Sequence, residues 1–134
     1  MADITIVSPV RLVHGRFRLT LPAGDTIPEG SACYEDSAGV VQLAISDADG
    51  NGAQVDGVNV LAAVAGDPVT LFQIGSRIRI GAHGRGIGSF LYPSDTAGLF
   101  SDAPIIAAEP PIAKAVSATD IEIVRMDKPA VAFA

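Results

Sequence analysis

The sequence predicts an all-β protein, a compact β-barrel or β-sandwich with an extended N-terminal arm. Short apolar or alternating segments recur along the 134 residues, each bounded by Gly, Asp, Asn or Pro. Turn formers punctuate the whole chain, with 14 glycines and 9 prolines. No segment sustains the 3.6-residue apolar period of a full helix.

Taken in order, ITIV at 4–7 is short, apolar and β-prone, and Pro9 cuts it from the next strand. Residues 1–10 are therefore expected as an arm and 11–134 as a single β domain, a size typical of one domain. In RFRLTL at 16–21, Phe17, Leu19 and Leu21 share one face while Arg16, Arg18 and Thr20 share the other. PAGDTIPEG is a turn-rich link. SACYED, VVQLAIS, VNVLAAV, DPVTLFQI, SRIRI and SFLYPS come after it as strands at short intervals. The alanine-rich stretch 103–118 is the one helix candidate, and Pro104, Pro110 and Pro111 limit it to a turn or two. DIEIVRMD and AVAFA return to strand character, with Ile121 and Ile123 alternating against Glu122.

Composition excludes several functions. A net charge of −6 argues against a protein that grips nucleic acid through its phosphates. The single cysteine, Cys33, cannot close an internal disulfide, and no Cys/His run offers a zinc site. MADITIVSPV lacks a basic segment followed by an apolar run, and no stretch approaches a membrane span. A soluble protein made in a cytoplasm is expected, without a membrane partner.

The chemical motifs each have a plainer structural explanation. GAHGRGIGSF, 81–90, has the strand but lacks the following helix of a phosphate cradle, so its glycines fit a strand-to-strand connection. DADGNG, 47–52, opens like a calcium loop, but its twelfth position is Val58 rather than Glu, and its flanks read as strands. Asp95-Thr96-Ala97-Gly98 resembles an aspartic-protease signature with an inserted alanine and fits a turn. Cys33 would need His14 or His83 as a base, and neither histidine sits in a recognisable catalytic context. Arg16, Arg18, Arg77 and Arg79 lie on the polar faces of two strands. They form either a cationic binding stripe or a solvated face neutralised by neighbouring carboxylates. No enzymatic activity, metal or cofactor is expected.

From Gly24 to Pro104 the order of phrases resembles the capsid decoration, or cement, proteins of tailed bacteriophages. The phrases are GDTIPEGSACYEDSAGVVQLAISDADG, VDGVNVLAAVAGDPVTLFQIGSRIRIG and IGSFLYPSDTAGLFSDAP. Within them, EGSACYEDSAGVV at 29–41 and IGSFLYPSDTAGLF at 87–100 echo one another: Gly-Ser, two residues, Tyr, then a turn with Ala-Gly. The resemblance implies a tulip-like β domain that forms homotrimers on the outside of an icosahedral head at three-fold positions. There it clamps neighbouring major capsid proteins, with contact between adjacent decoration trimers, needs no cofactor, and belongs to the virion. In that setting Ile4, Ile6 and Val7 of the arm and Arg16, Arg18, Arg77 and Arg79 are the expected contacts. The alternative is a phage tail or fibre module recognising a host glycan. It suffers from an absence of Trp and only two tyrosines, Tyr34 and Tyr92.

Overall fold

The computed structural model describes residues 3–46, 53–106, 109–125 and 127. Their strands are β1 (Arg11–His14), β2 (Arg18–Pro22), β3 (Ala32–Glu35), β4 (Val41–Leu43), β5 (Gly57–Val58) and β6 (Pro68–Phe72). The others are β7 (Arg77–Arg79), β8 (Phe90–Pro93), β9 (Phe100–Ser101), β10 (Ala113–Ala115) and β11 (Asp120–Ile123). They form a six-stranded sheet in the order β1-β7-β11-β10-β8-β9 and a five-stranded sheet in the order β2-β6-β5-β3-β4. Every ladder is antiparallel. A lone parallel bridge from Ala23 to Val41 joins the outer strands of the five-stranded sheet at one point. It does not become a ladder, so the chain is sandwich-like rather than a closed barrel.

Alternation along the strands builds two cores. Ala32, Val58 and Phe72 from the five-stranded sheet meet Ile78, Leu91, Phe100, Ala113, Ile121 and Ile123 from the other. The opposite faces of the same strands carry Cys33, Val69 and Leu71 into a second cluster with Ala23, Ile27, Val41 and Ala63. Ile78, Ile80, Ile121 and Ile123 are completely buried, each contributing about 1.5–3 kcal/mol through lost water contact. The expected alternation at 121–123 thus holds. That at 18–21 holds as well, with Leu19 and Leu21 half-buried and Arg18 and Thr20 exposed. Phe17 does not join them: it precedes the strand and is 42% exposed.

The helix candidate is a strand instead. Among the described residues no helix forms, and Ala113–Ala115 pairs with β8 on one side and β11 on the other. Pro110 and Pro111 block a helix there, and pairing on both edges outweighs the low strand preference of alanine.

The two echoing phrases fold alike. One is the β3–β4 hairpin and the other the β8–β9 hairpin. Their paired glycines all have positive φ, 71° at Gly30 against 90° at Gly88, and 80° at both Gly39 and Gly98. The hairpins also tie the sheets together, because Ala32 N–H donates to Gly98 O at 2.9 Å and Gly98 N–H to Ala44 O at 2.7 Å.

Buried polar groups fix the loops. Asn59 accepts from Ser31 N–H at 2.8 Å and donates to the carbonyls of Pro28 and Leu61. Arg125 bonds to Glu109 at 3.3 Å, Asp127 at 2.8 Å and the Pro110 carbonyl at 3.0 Å. Glu109 in turn accepts from Ala53 N–H at 2.9 Å, and Asp127 from Val55 N–H at 2.9 Å. One buried guanidinium therefore joins three separate segments.

Residues 3–10 lie against the body. Asp3 bridges Ser101, Ile4 N–H donates to Phe100 O and Val7 N–H to Ile80 O, both at 2.8 Å. Ile4 and Val10 belong to the main core, which runs through the boundary expected at residue 10.

Candidate interaction face

Residues 11–18, RLVHGRFR, are all exposed. They begin as β1, the edge of the six-stranded sheet, and end in β2, the edge of the five-stranded sheet. Gly15 makes the crossing close: a Cβ there would stand 3.2 Å from both Leu12 and the Phe72 ring. Leu12, Val13 and Phe17 are 40%, 46% and 42% exposed. Exposed apolar side chains gathered on two sheet edges are a feature of binding surfaces.

The arginines around them fall into two sets. Strand register places Arg11 opposite Arg79 and His14 opposite Arg77. On its other side β7 meets β11, with Arg79 opposite Asp120 and Arg77 opposite Glu122. Asp120 takes Arg79 Nε at 2.9 Å and lies 3.6 Å from Arg77 Nε. The hydrogen bond from Arg79, with lesser help from Thr119 and the two positive charges, holds this carboxyl below its ordinary range against the opposing effect of burial. Arg77 and Arg79 thus share one carboxylate of the chain itself, that of Asp120.

Arg11, Arg16 and Arg18 have no ion-pair partner among the described residues. Arg16 is nonetheless positioned. Its backbone N–H donates to Ser76 Oγ at 3.0 Å, and its guanidinium carbon stands 5.5 Å from the centroid of the Phe17 ring, a cation–π distance. The neutralised-face reading thus holds for Arg77 and Arg79, which pair with Asp120, while Arg16 and Arg18 have no such carboxylate among the described residues. The sequence did not reveal the strand at 11–14, because a strand exposed on all four residues shows no alternation, and of its residues only His14 stands out there, as a base for Cys33. The available signal was the run of basic residues Arg11, His14, Arg16 and Arg18 within eight positions.

The arm residues lie within the chain. Ile4 is 7% exposed and Ile6 packs against the core, whereas the Val7 side chain is 47% exposed. For Ile4 to reach a partner, its segment would have to leave the body.

The other motifs resolve into structure. Cys33 is fully buried, which pushes its thiol well up, and Sγ donates to Ser31 O at 3.4 Å. Neither histidine is a hydrogen-bond partner of it. His83 accepts from Arg85 N–H at Nδ1 (3.0 Å) and donates from Nε2 to Ser117 O (2.8 Å), so its ring braces the glycine loop. That loop connects β7 to β8, with positive φ at Gly81, Gly84 and Gly88. Asp95–Gly98 is the turn of the second hairpin, where Ser94 Oγ accepts from Thr96 N–H at 2.9 Å. DADGNG lies outside the described residues, and among those described no cluster of His, Cys, Asp and Glu could hold a metal. Comparison of the chain with models of known families and with curated proteins gives no match.

Proposed function

We propose that this chain is a decoration protein of a tailed-phage capsid, a structural component of the virion rather than an enzyme. It attaches as a homotrimer to the outer surface of the head at three-fold positions and clamps neighbouring major capsid proteins. The observation that carries this reading is the exposed edge at 11–18, where apolar side chains stand beside arginines that have no ion-pair partner among the described residues, on a chain of net charge −6. Such a face suits an acidic protein surface. The phrase order from Gly24 to Pro104 supplies the capsid context by resemblance. Three copies joined around an axis attach together, so individually weak contacts sum to a firm grip. Binding the assembled shell in preference to free subunits then stabilises the shell by mass action.

The glycan alternative lacks a comparable observation. Tyr34 packs against the main core and Tyr92 is half-buried in β8, so neither ring is a fully exposed platform.

Titration onto undecorated heads assembled from the major capsid protein of the same genome tests the proposal. The expected outcome is saturable binding with a higher temperature of DNA release. Saturable binding without any shift in release temperature would make the protein a surface ligand instead. No binding at all would remove the capsid reading.

A further inference from the structure

Two cavities flank Arg18 and Phe72. One, of about 290 Å³, is lined by Leu12, Gly15 and Arg16 together with that pair. The other, of about 210 Å³, is lined by the same pair with Val60, Leu61, Pro68, Val69 and Thr70. Because Arg18 and Phe72 stand in both walls, the two cavities adjoin at the edge of the five-stranded sheet as a groove in two parts. Register explains the junction, since Arg18 and Phe72 are direct partners in the β2–β6 ladder.

The ends differ in chemistry. The first brings two arginines that have no ion-pair partner among the described residues to a cavity floored by an aromatic ring. The second is of mixed polarity, with Val60, Leu61 and Pro68 beside Arg18 and Thr70, and Leu61 in its wall is 75% exposed. Charged side chains alone would suffice to guard a sheet edge against unwanted pairing. An exposed leucine beside the arginines works against such guarding, so the combination favours a surface that is covered.

We propose that this groove binds an extended acidic and apolar segment of a partner protein. A carboxylate of the segment sits between Arg16 and Arg18, and a neighbouring aliphatic side chain enters the cavity beside Leu61 and Pro68. Charge complementarity selects the occupant: Arg16 and Arg18 stand at one end, and the exposed Leu61 with Val60 and Pro68 at the other. A polyanion without apolar groups leaves the second cavity unfilled, and a neutral apolar segment leaves the arginines unpaired. The inference rests on the decoration reading only for naming the capsid protein as the source of that segment.

The test uses the whole protein and a short labelled peptide of alternating Leu and Asp. Saturable binding, weakened about tenfold when Arg16→Glu and Arg18→Glu are combined, is expected from lost charge pairing. Leu61→Ser should weaken it several-fold, and both variants should keep a cooperative melting transition, since the replaced side chains are exposed and Arg16 gives up only its contact with the Phe17 ring. No saturable binding by the parent protein, or equal affinity in the doubly reversed variant, overturns the proposal. Equal binding of an alternating Leu and Asn peptide overturns it too, as does equal binding of an all-Asp peptide. Since no capsid enters this assay, failure here leaves decoration of heads standing, and failure on heads leaves the groove standing.

Discussion

Asp120 accepts a hydrogen bond from Arg79 Nε at 2.9 Å, although its carboxylate is buried and the guanidinium is half exposed. The pairing fixes an acid-side pH dependence. The folded-state carboxyl titrates below its unfolded value, so its stabilisation is present above about pH 4 and is lost as pH falls through the folded value. Arg79, whose own proton is held more tightly, stays charged throughout. Asp120→Asn should therefore cost about 1 kcal/mol at neutral pH, a modest figure because solvent screens the arginine. Melting curves across the acid range should show a shallower decline for the variant. An identical decline would mean that other carboxylates govern acid unfolding.

The buried Arg125 should matter more than any surface arginine. Its removal leaves Glu109 buried and anionic beside the Ala53 amide, a situation that commonly costs about 3–5 kcal/mol. Arg125→Met is expected to lower the melting temperature sharply. Adding Glu109→Gln should recover part of the loss, because the stranded charge is then gone while the amide oxygen still accepts from Ala53. A double variant worse than the single one would contradict this account.

Cys33 should be chemically silent in the folded protein. Burial raises its thiol and leaves no exposed surface for attack. A thiol-reactive dye is expected to label it only after denaturant is added. Labelling of the native protein at the rate of a free thiol would show that the second core opens readily.

The strands whose two faces differ were legible in the sequence. At 18–21 and 121–123 apolar and polar residues alternate, and the structure turns them inward and outward accordingly. Repetition of Gly-Ser, Tyr and Ala-Gly also gave away the two hairpins. Strands defined by their neighbours were not legible: Ala113–Ala115 resembles helix in composition and becomes strand because β8 and β11 flank it. β1 was missed for the opposite reason, since all four residues are exposed and no pattern betrays a buried face. At the candidate site, Arg16 and Arg18 were visible as one polar face. What could not be read was the partition among the arginines, because Asp120 reaches β7 only through a ladder between segments 41 residues apart.

The N-terminal segment should contribute to stability even if it also contacts a partner. Ile4 is in the main core and its amide donates to Phe100, so Ile4→Ala is expected to cost about 2 kcal/mol, the lower end for a buried isoleucine at the chain's margin. Val7→Ser should cost little, since that side chain is half exposed. Removing residues 1–8 should lower the melting temperature by more than Ile4→Ala and leave a cooperative transition. A melting temperature unchanged by the deletion would mean that the segment is not docked in solution.

Gly75 sets the position of Arg16. Its φ of +87° is one that side chains rarely adopt, and a Cβ at this position would lie 2.6 Å from Arg16 Cδ. Gly75→Ala is therefore expected to cost about 1–2 kcal/mol in backbone strain, with a further loss as the arginine is displaced from its place beside the Phe17 ring. The two contributions separate in a double-mutant cycle. In an Arg16→Ala background nothing remains for the new methyl to strike, so Gly75→Ala should cost only the strain, and the difference between backgrounds measures the seating of Arg16. The same substitution should weaken binding of the Leu and Asp peptide while leaving Arg18 in place, giving an intermediate affinity between the parent and the doubly reversed variant. Equal costs in both backgrounds, together with unchanged peptide affinity, would show that Arg16 is not held over Gly75 and that its guanidinium is free to find the carboxylate by itself.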